Sequence, residues 1–291
     1  MVRNLKEKVM ELVFLLTALT SIVAVGLICL FLFKSGLPAM KEIGITDFLF
    51  GKEWRPGNQL FGIFPMIVGS LYVTAGAIIV GVPTGLFMAV FLAMYCPAKL
   101  YKILKPAVDL LAGIPSIVYG FFGMVVIVPA VRYFFNEVID LNGKGDSILT
   151  ASIVLGIMIL PTIIGAAEPA IRAVPKMYYE GALALGADHE RSTFFVVFPA
   201  AQSGILASVI LGIGRAVGET MAVVMIAGNQ PRMPKGILKG VRTMTANIVL
   251  EMGYATDLHR DALIATGVVL FVFILLINLS FSALKRKRNY G

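Results

Sequence analysis

Charge is scarce in this chain, and the side chains that usually carry chemistry are scarcer still. Only 14% of the 291 residues are Asp, Glu, Lys or Arg, against 58% hydrophobic, which excludes an ordinary soluble domain. The two cysteines, Cys29 in the first apolar run and Cys96 at the end of the second, supply neither a disulfide framework nor a metal-binding spacing. The two histidines, His189 and His259, lie in polar loops without ligand neighbours, so no zinc or di-metal centre is expected and neither is given a role. Hydrolase elbow, P-loop and dinucleotide fingerprint are all missing, and the glycine-rich tract 212–218 lacks the Lys-Ser/Thr end of a phosphate loop. The sequence therefore predicts no catalytic residue, no metal and no cofactor; any energy must come from another chain. The formal charge of +8 is spread along the chain rather than gathered in one patch, which argues against nucleic acid. Lys285-Arg-Lys-Arg288 closes the last apolar run, where anchoring at an anionic leaflet is the plain reading.

Long apolar runs are what the chain does contain, and runs of about 18 or more residues with few charges read as membrane-spanning helices. Six spans are predicted, at about 11–33, 69–95, 107–131, 147–167, 200–228 and 261–284, giving an all-α integral membrane protein. The uncharged stretch from Arg55 to Lys99 is too long for one crossing at 1.5 Å per residue, so Phe61 to Val68, broken by Pro65, is read as a lead-in along the interface. The first span has basic residues before it, but its core is long and no A-x-A site follows, which favours an uncleaved helix over a signal peptide. The fourteen methionines, scattered in the runs, read as packing.

Six spans put both termini on one side. Basic residues near the span ends, above all at the termini and in the compact 95–106 loop, make that side cytoplasmic. A polar island at about 168–199 then faces the cytoplasm, whereas loops at about 34–60 and 229–260 lie outside and are too small to bury a core of their own. Outside, Arg232, Lys235, Lys239 and Arg242 form a basic loop that either gathers anions, docks an acidic partner, or touches lipid headgroups.

The polar island carries Glu180, Gly181, Ala182, Gly186 and, after nine residues, Val196, Phe198 and Pro199. This pattern resembles the EAA loop of ABC-importer permeases (E-A-A, three residues, G, nine residues, I-x-L-P), with Gly181, Val196 and Phe198 as conservative departures. The resemblance implies the type I importer permease fold, a plasma-membrane location, and a short cytoplasmic coupling helix docked on an ATPase subunit. It also implies a division into residues 1–60, an N-terminal helix with an external loop, and residues 61–291, the transmembrane domain proper.

One span holds a pair of charges. In Gly212-Ile-Gly-Arg215-Ala-Val-Gly-Glu219-Thr, an arginine and a glutamate stand four residues apart in an apolar helix, the spacing of side chains that share a face and can pair. A central arginine costs about 2.5–3.5 kcal/mol on insertion scales, so such residues face a partner or a water-filled path. Two readings stand: an internal ion pair that locks the bundle, or Arg215 meeting an oxyanion that Glu219 holds or releases. The glycines at 212, 214 and 218 are expected to let a neighbouring helix approach closely.

Gly113-Ile-Pro-Ser-Ile-Val-Tyr-Gly120 and Arg215-Ala-Val-Gly-Glu-Thr-Met221, running on to Ala227-Gly-Asn229, are similar to segments of the phosphate-specific transport permeases. Trp54-Arg-Pro56 with Phe61-Gly62 resembles the PstC-type subunit, and the likeness covers about residues 50–284. It implies import of inorganic phosphate by alternating access, with two ATPase copies, a homologous PstA-type permease and an extracytoplasmic phosphate-binding protein as partners. A sulfate or molybdate permease, an ion-gradient-driven anion transporter, and a non-transporting scaffold are the alternatives. Pro83, Pro115, Pro129 and Pro161 are expected as fixed bends rather than gates, and Asp109 and Glu168 as capping or interface residues at cytoplasmic span ends.

Overall fold

In lipid every backbone polar group must be satisfied within the chain, and this sequence meets that demand with helices. The computed structural model describes residues 2–139 and 143–288, with side chains described for 6–139 and 143–280; the basic run 285–288 lies outside those described side chains. The first helix, α1 (Val2–Ile43), runs beyond the predicted span at both ends. After it come α2 (Ile45–Phe50) and a two-stranded antiparallel hairpin, β1 (Trp54–Arg55) with β2 (Leu60–Phe61), which pairs Trp54 with Phe61.

Helix α3 (Phe64–Val90) continues through a π turn, Phe91–Tyr95, for 32 residues or about 48 Å. No separate lead-in exists over 61–68. Pro65 sits in the first turn of α3, where its missing N–H costs nothing and its fixed φ suits the helix.

The third span is displaced from its predicted place at 107–131. Residues 98–113 form a separate helix, α4 (Ala98–Gly113), and Ile114 is extended (ψ 125°), as residues before proline are. The span itself is α5 (Ser116–Phe122), a π turn over 123–127, α6 (Val128–Tyr133) and a further π turn to Val138. Asp109 therefore lies on the surface of α4, 3.3 Å from Lys105, and marks no span end.

Ser147 caps α7 (Ile148–Arg172), its Oγ accepting from the Thr150 N–H. This helix runs one turn past the predicted end at residue 167. Beyond it, α8 (Lys176–Ala184) and α9 (His189–Arg191) lead through a π turn, Ser192–Val197, into α10 (Phe198–Ala200). The predicted fifth span is interrupted twice. The chain bends by 72° between α10 and α11 (Gln202–Gly218), and breaks again at Glu219–Thr220 before α12 (Met221–Ile226). A short helix, α13 (Met244–Glu251), precedes α14 (Asp257–Arg288), the last span. Five described helices are long and apolar enough to cross a membrane, six if the bent pair counts as one.

Small residues bring the central helices together. A Cβ on Gly81 of α3 would stand 2.7 Å from the Gly156 carbonyl of α7, so the two backbones approach as only glycine permits. Helix α7 is the most buried span, packed by α3 and α11. Neither of the loops at 34–60 and 229–260 builds a core alone; the two share one with the last span. Phe48, Trp54 and Phe61 from the first loop pack on Met244 from the second and on Ala262 and Leu263 of α14.

Candidate functional site

The EAA-like segment folds as a helix, a glycine turn and a second helix. Helix α8 ends in a Schellman turn: the Gly186 N–H bonds the Leu183 carbonyl and the Ala187 N–H bonds that of Ala182. Gly186 has φ +87°, with no atom within 4 Å of where a Cβ would stand. Glycine is required there by conformation, not by crowding. Asp188 then caps α9, its Oδ1 2.7 Å from the Arg191 N–H. The phenol of Tyr179 lies 2.5 Å from His189 Nδ1, and Tyr95 packs its ring 4.4 Å from the same imidazole, so His189 ties α8 to α9 and to the end of α3. Glu180, Gly181 and Gly186 are exposed and Ala182 is half-buried, beside Leu185, which is 92% exposed. Val196 and Phe198 are half-buried and Pro199 exposed, while the intervening Val197 is buried against Ala89, Ala167 and Ile171. The helix pair thus offers an outward surface and is seated on the ends of α3 and α7.

The two charges of the fifth span do not pair. Helix α11 stops at Gly218, Glu219 is extended (ψ 132°), and the four-residue relation that holds along a helix is lost. The Glu219 carboxylate turns forward to accept the Ala222 N–H at 3.1 Å, capping α12, while its carbonyl accepts Thr245 Oγ1 at 3.0 Å. Arg215 is half-buried, and its Nε is shielded from solvent without a hydrogen-bond partner among the described residues. Tyr119 packs in one core cluster with Ala216, the residue that follows Arg215. Of the three nearby glycines, only Gly212 meets a neighbouring helix, at Ile163; Gly214 and Gly218 face open space.

Around this break the two remaining motifs meet. A Cβ on Gly120 would stand 2.9 Å from the Ala222 Cα, so α5 lies directly on α12. The Tyr119 hydroxyl donates to the Leu111 carbonyl at 2.9 Å, bridging the Pro115 break back to α4. At the far end of α12, Ser147 and Val241 N–H groups satisfy the Ile226 and Ala227 carbonyls, and Asn229 (φ +49°) donates to the Val224 carbonyl. The Ala227-Gly-Asn229 motif is thus the terminus of this short helix.

Two buried carboxylates organise the two ends of the molecule. Glu168, 3% exposed at its side chain, accepts the Tyr101 hydroxyl at 3.0 Å and the Arg172 Nε, with Lys105 Nζ at 3.4 Å. Arg172 also donates to the Leu92 carbonyl at 2.6 Å and stacks over the Tyr101 ring. At the opposite end Glu251 accepts Trp54 Nε1 (2.8 Å) and Arg242 Nη1 (2.5 Å), with His259 Nε2 at 2.9 Å. His259 and Arg242, read from sequence as loop residues, are therefore members of a buried network.

Residues 81–290 match the family described as binding-protein-dependent transport system inner membrane component. The chain belongs to this family. The permease is 36% identical over 285 residues to the probable ABC transporter permease protein YqgH of Bacillus subtilis, covering 94% of this chain and 91% of that one. It is 35% identical over 275 residues to the phosphate transport system permease protein PstC of Mesorhizobium japonicum, covering 89% and 84%. Its fold is that of the MetNI methionine ABC transporter in an inward-facing conformation, with a TM-score of 0.62 at 19% identity over 81% of this chain and 99% of that one. As an ABC importer permease it is a multi-pass inner-membrane component, works with an ATPase and a binding protein, and is not itself the catalytic subunit.

Proposed function

We propose that this permease imports inorganic phosphate by alternating access, with Arg215 as the cation that the oxyanion meets. The observation that carries this reading is the state of Arg215: a guanidinium in an apolar span, its Nε shut off from solvent and unpartnered, three residues before the helix stops. A shielded donor without an acceptor is costly, and an anion passing the site would supply that acceptor. The planar fork of arginine suits phosphate oxygens. Glu219, engaged at α12, leaves Arg215 free and contributes a carboxylate beside the path. Phosphate in particular is supported by the Gly113–Gly120 and Arg215–Met221 segments and by the name of the Mesorhizobium relative.

Residues 176–199 serve in this reading as the ATPase docking segment, cytoplasmic together with both termini, with Glu180, Gly181, Ala182, Gly186, Val196, Phe198 and Pro199 as its framework. Residues 1–60 form the N-terminal unit and 61–291 the transporting domain. Two ATPase copies, a homologous second permease and a phosphate-binding protein complete the importer; the open space beside Gly214 and Gly218 suits a second permease across the path. The test is uptake of radiolabelled phosphate by cells in which this system is the sole high-affinity phosphate importer, with unlabelled competitors. Phosphate should compete and sulfate and molybdate should not. Competition by sulfate or molybdate at equal concentration overturns the substrate assignment.

A further inference from the structure

Helix α4 touches both ends of the proposed machinery. At its start, Tyr101 and Lys105 reach across to Glu168 on α7. Arg172, the last residue of α7, holds that carboxylate, stacks on Tyr101, and donates to Leu92 at the end of α3. It also lines a cleft of about 430 Å³ with Lys176, Tyr179 and Glu180 of α8 and with His189. At its other end, the Leu111 carbonyl of α4 accepts the Tyr119 hydroxyl, and Tyr119 packs in one core cluster with Ala216, the residue after Arg215. Tyr101 and Leu111 are ten residues, or about 15 Å of helix, apart. Helix α4, which carries Pro106 between these two contacts, therefore joins the seat of α8 to the neighbourhood of the unpartnered arginine. The covalent route through Pro199 passes a 72° bend.

Glu168 is well suited to hold that helix. It is buried, and its partners come from both sides of the joint: Tyr101 and Lys105 from α4, Arg172 from α7. Breaking a buried charge cluster is costly in proportion to how completely its members are desolvated. Here the cations are partly hydrated, Arg172 at 44% and Lys105 at 22% side-chain exposure, so the cluster can be weakened without leaving a stranded charge.

We propose that α4 is the lever of the transport cycle and that Glu168 is the positioning residue that makes α4 follow α8. This rests on the reading of residues 176–199 as the ATPase docking segment. The experiment uses the assembled importer in proteoliposomes, with Cys29 and Cys96 replaced by serine. Spin labels at Leu110 on α4 and, separately, at Tyr178 on α8 are each measured against a label at Leu275 on α14, with and without nucleotide trapping. In the otherwise native complex both distances change on trapping. In Glu168→Gln the α8 distance still changes, the α4 distance does not, and phosphate moved per ATP hydrolysed falls about fivefold or more, the lower range of site-to-site coupling. Tyr101→Phe, which removes a single hydroxyl, gives an intermediate loss in both readouts. An α4 distance that still responds in Glu168→Gln overturns the lever, as does a fall in transport matched by an equal fall in hydrolysis. An α8 distance that ignores nucleotide in the otherwise native complex overturns the docking reading instead.

Discussion

At residue scale, Arg215 and Gly186 carry the account by different physics. Arg215 acts through charge. Arg215→Ala should lower phosphate uptake at least tenfold with the complex still assembled, since a charged hydrogen bond contributes about 1.5–3 kcal/mol. Arg215→Lys keeps the charge and loses the fork, so its uptake should fall between the two. Gly186 acts through backbone conformation at φ +87°, which costs a residue with a Cβ about 1–2 kcal/mol. Gly186→Val should therefore weaken recovery of the ATPase with the purified permease, whereas Gly186→Asn, which tolerates the left-handed region, should largely preserve it. Equal loss from Val and Asn would mean that the position is a contact and not a turn. Both residues stood out in the sequence, one as a charge in an apolar run and the other in a spaced motif. Their relation to neighbours did not. The spacing of Arg215 and Glu219 suggested a pair, yet the helix ends between them without any proline to announce it.

At element scale, the interruptions decide what each segment can do. Pro115 was visible in the sequence, but hydropathy merged the end of α4 with the span beyond it, because both are apolar where they meet. The shift of the third span to 116–138 frees α4 to lie between α7 and the break. Burial opposes charge on Lys105, yet bonds to Asp109 and Glu168 hold its ammonium above the usual lysine range; burial and the Glu168 bond raise the Tyr101 phenol likewise. Both groups bind their protons more tightly in the folded state. Their contribution is therefore complete at neutral pH and is lost only as pH rises through the alkaline range. Hydrogen exchange should show α4 loosening before α3 or α7 as the medium is made alkaline, and unchanged relative protection would contradict the joint. The Glu251 network was not legible in sequence at all, since Trp54 and Glu251 are separated by 197 positions. Glu251→Ala leaves Arg242 and His259 buried beside an empty space. It should destabilise this cap by about 3–5 kcal/mol, read as a lowered thermal midpoint of the purified protein.

At the scale of the whole molecule, the architecture separates energy from passage. A chain poor in titratable groups places buried carboxylates at two ends and a half-buried arginine at one break: Glu168 near the proposed docking segment, Glu251 in the cap at the other end, and Arg215 beside the break. The membrane fold and the EAA-like segment were legible because lipid imposes length and apolarity on every span, and because a Schellman turn leaves a glycine at a fixed place. The cap and the lever were not, because they arise from contacts between distant segments. The most direct measurement is uptake of radiolabelled phosphate by proteoliposomes holding the complete importer and its binding protein, with ATP supplied on the ATPase side. ATP-dependent accumulation that disappears in Arg215→Ala, while ATPase and permease remain associated, is the predicted result. Accumulation that proceeds without ATP under an ion gradient, or that Arg215→Ala leaves unchanged, would contradict the account.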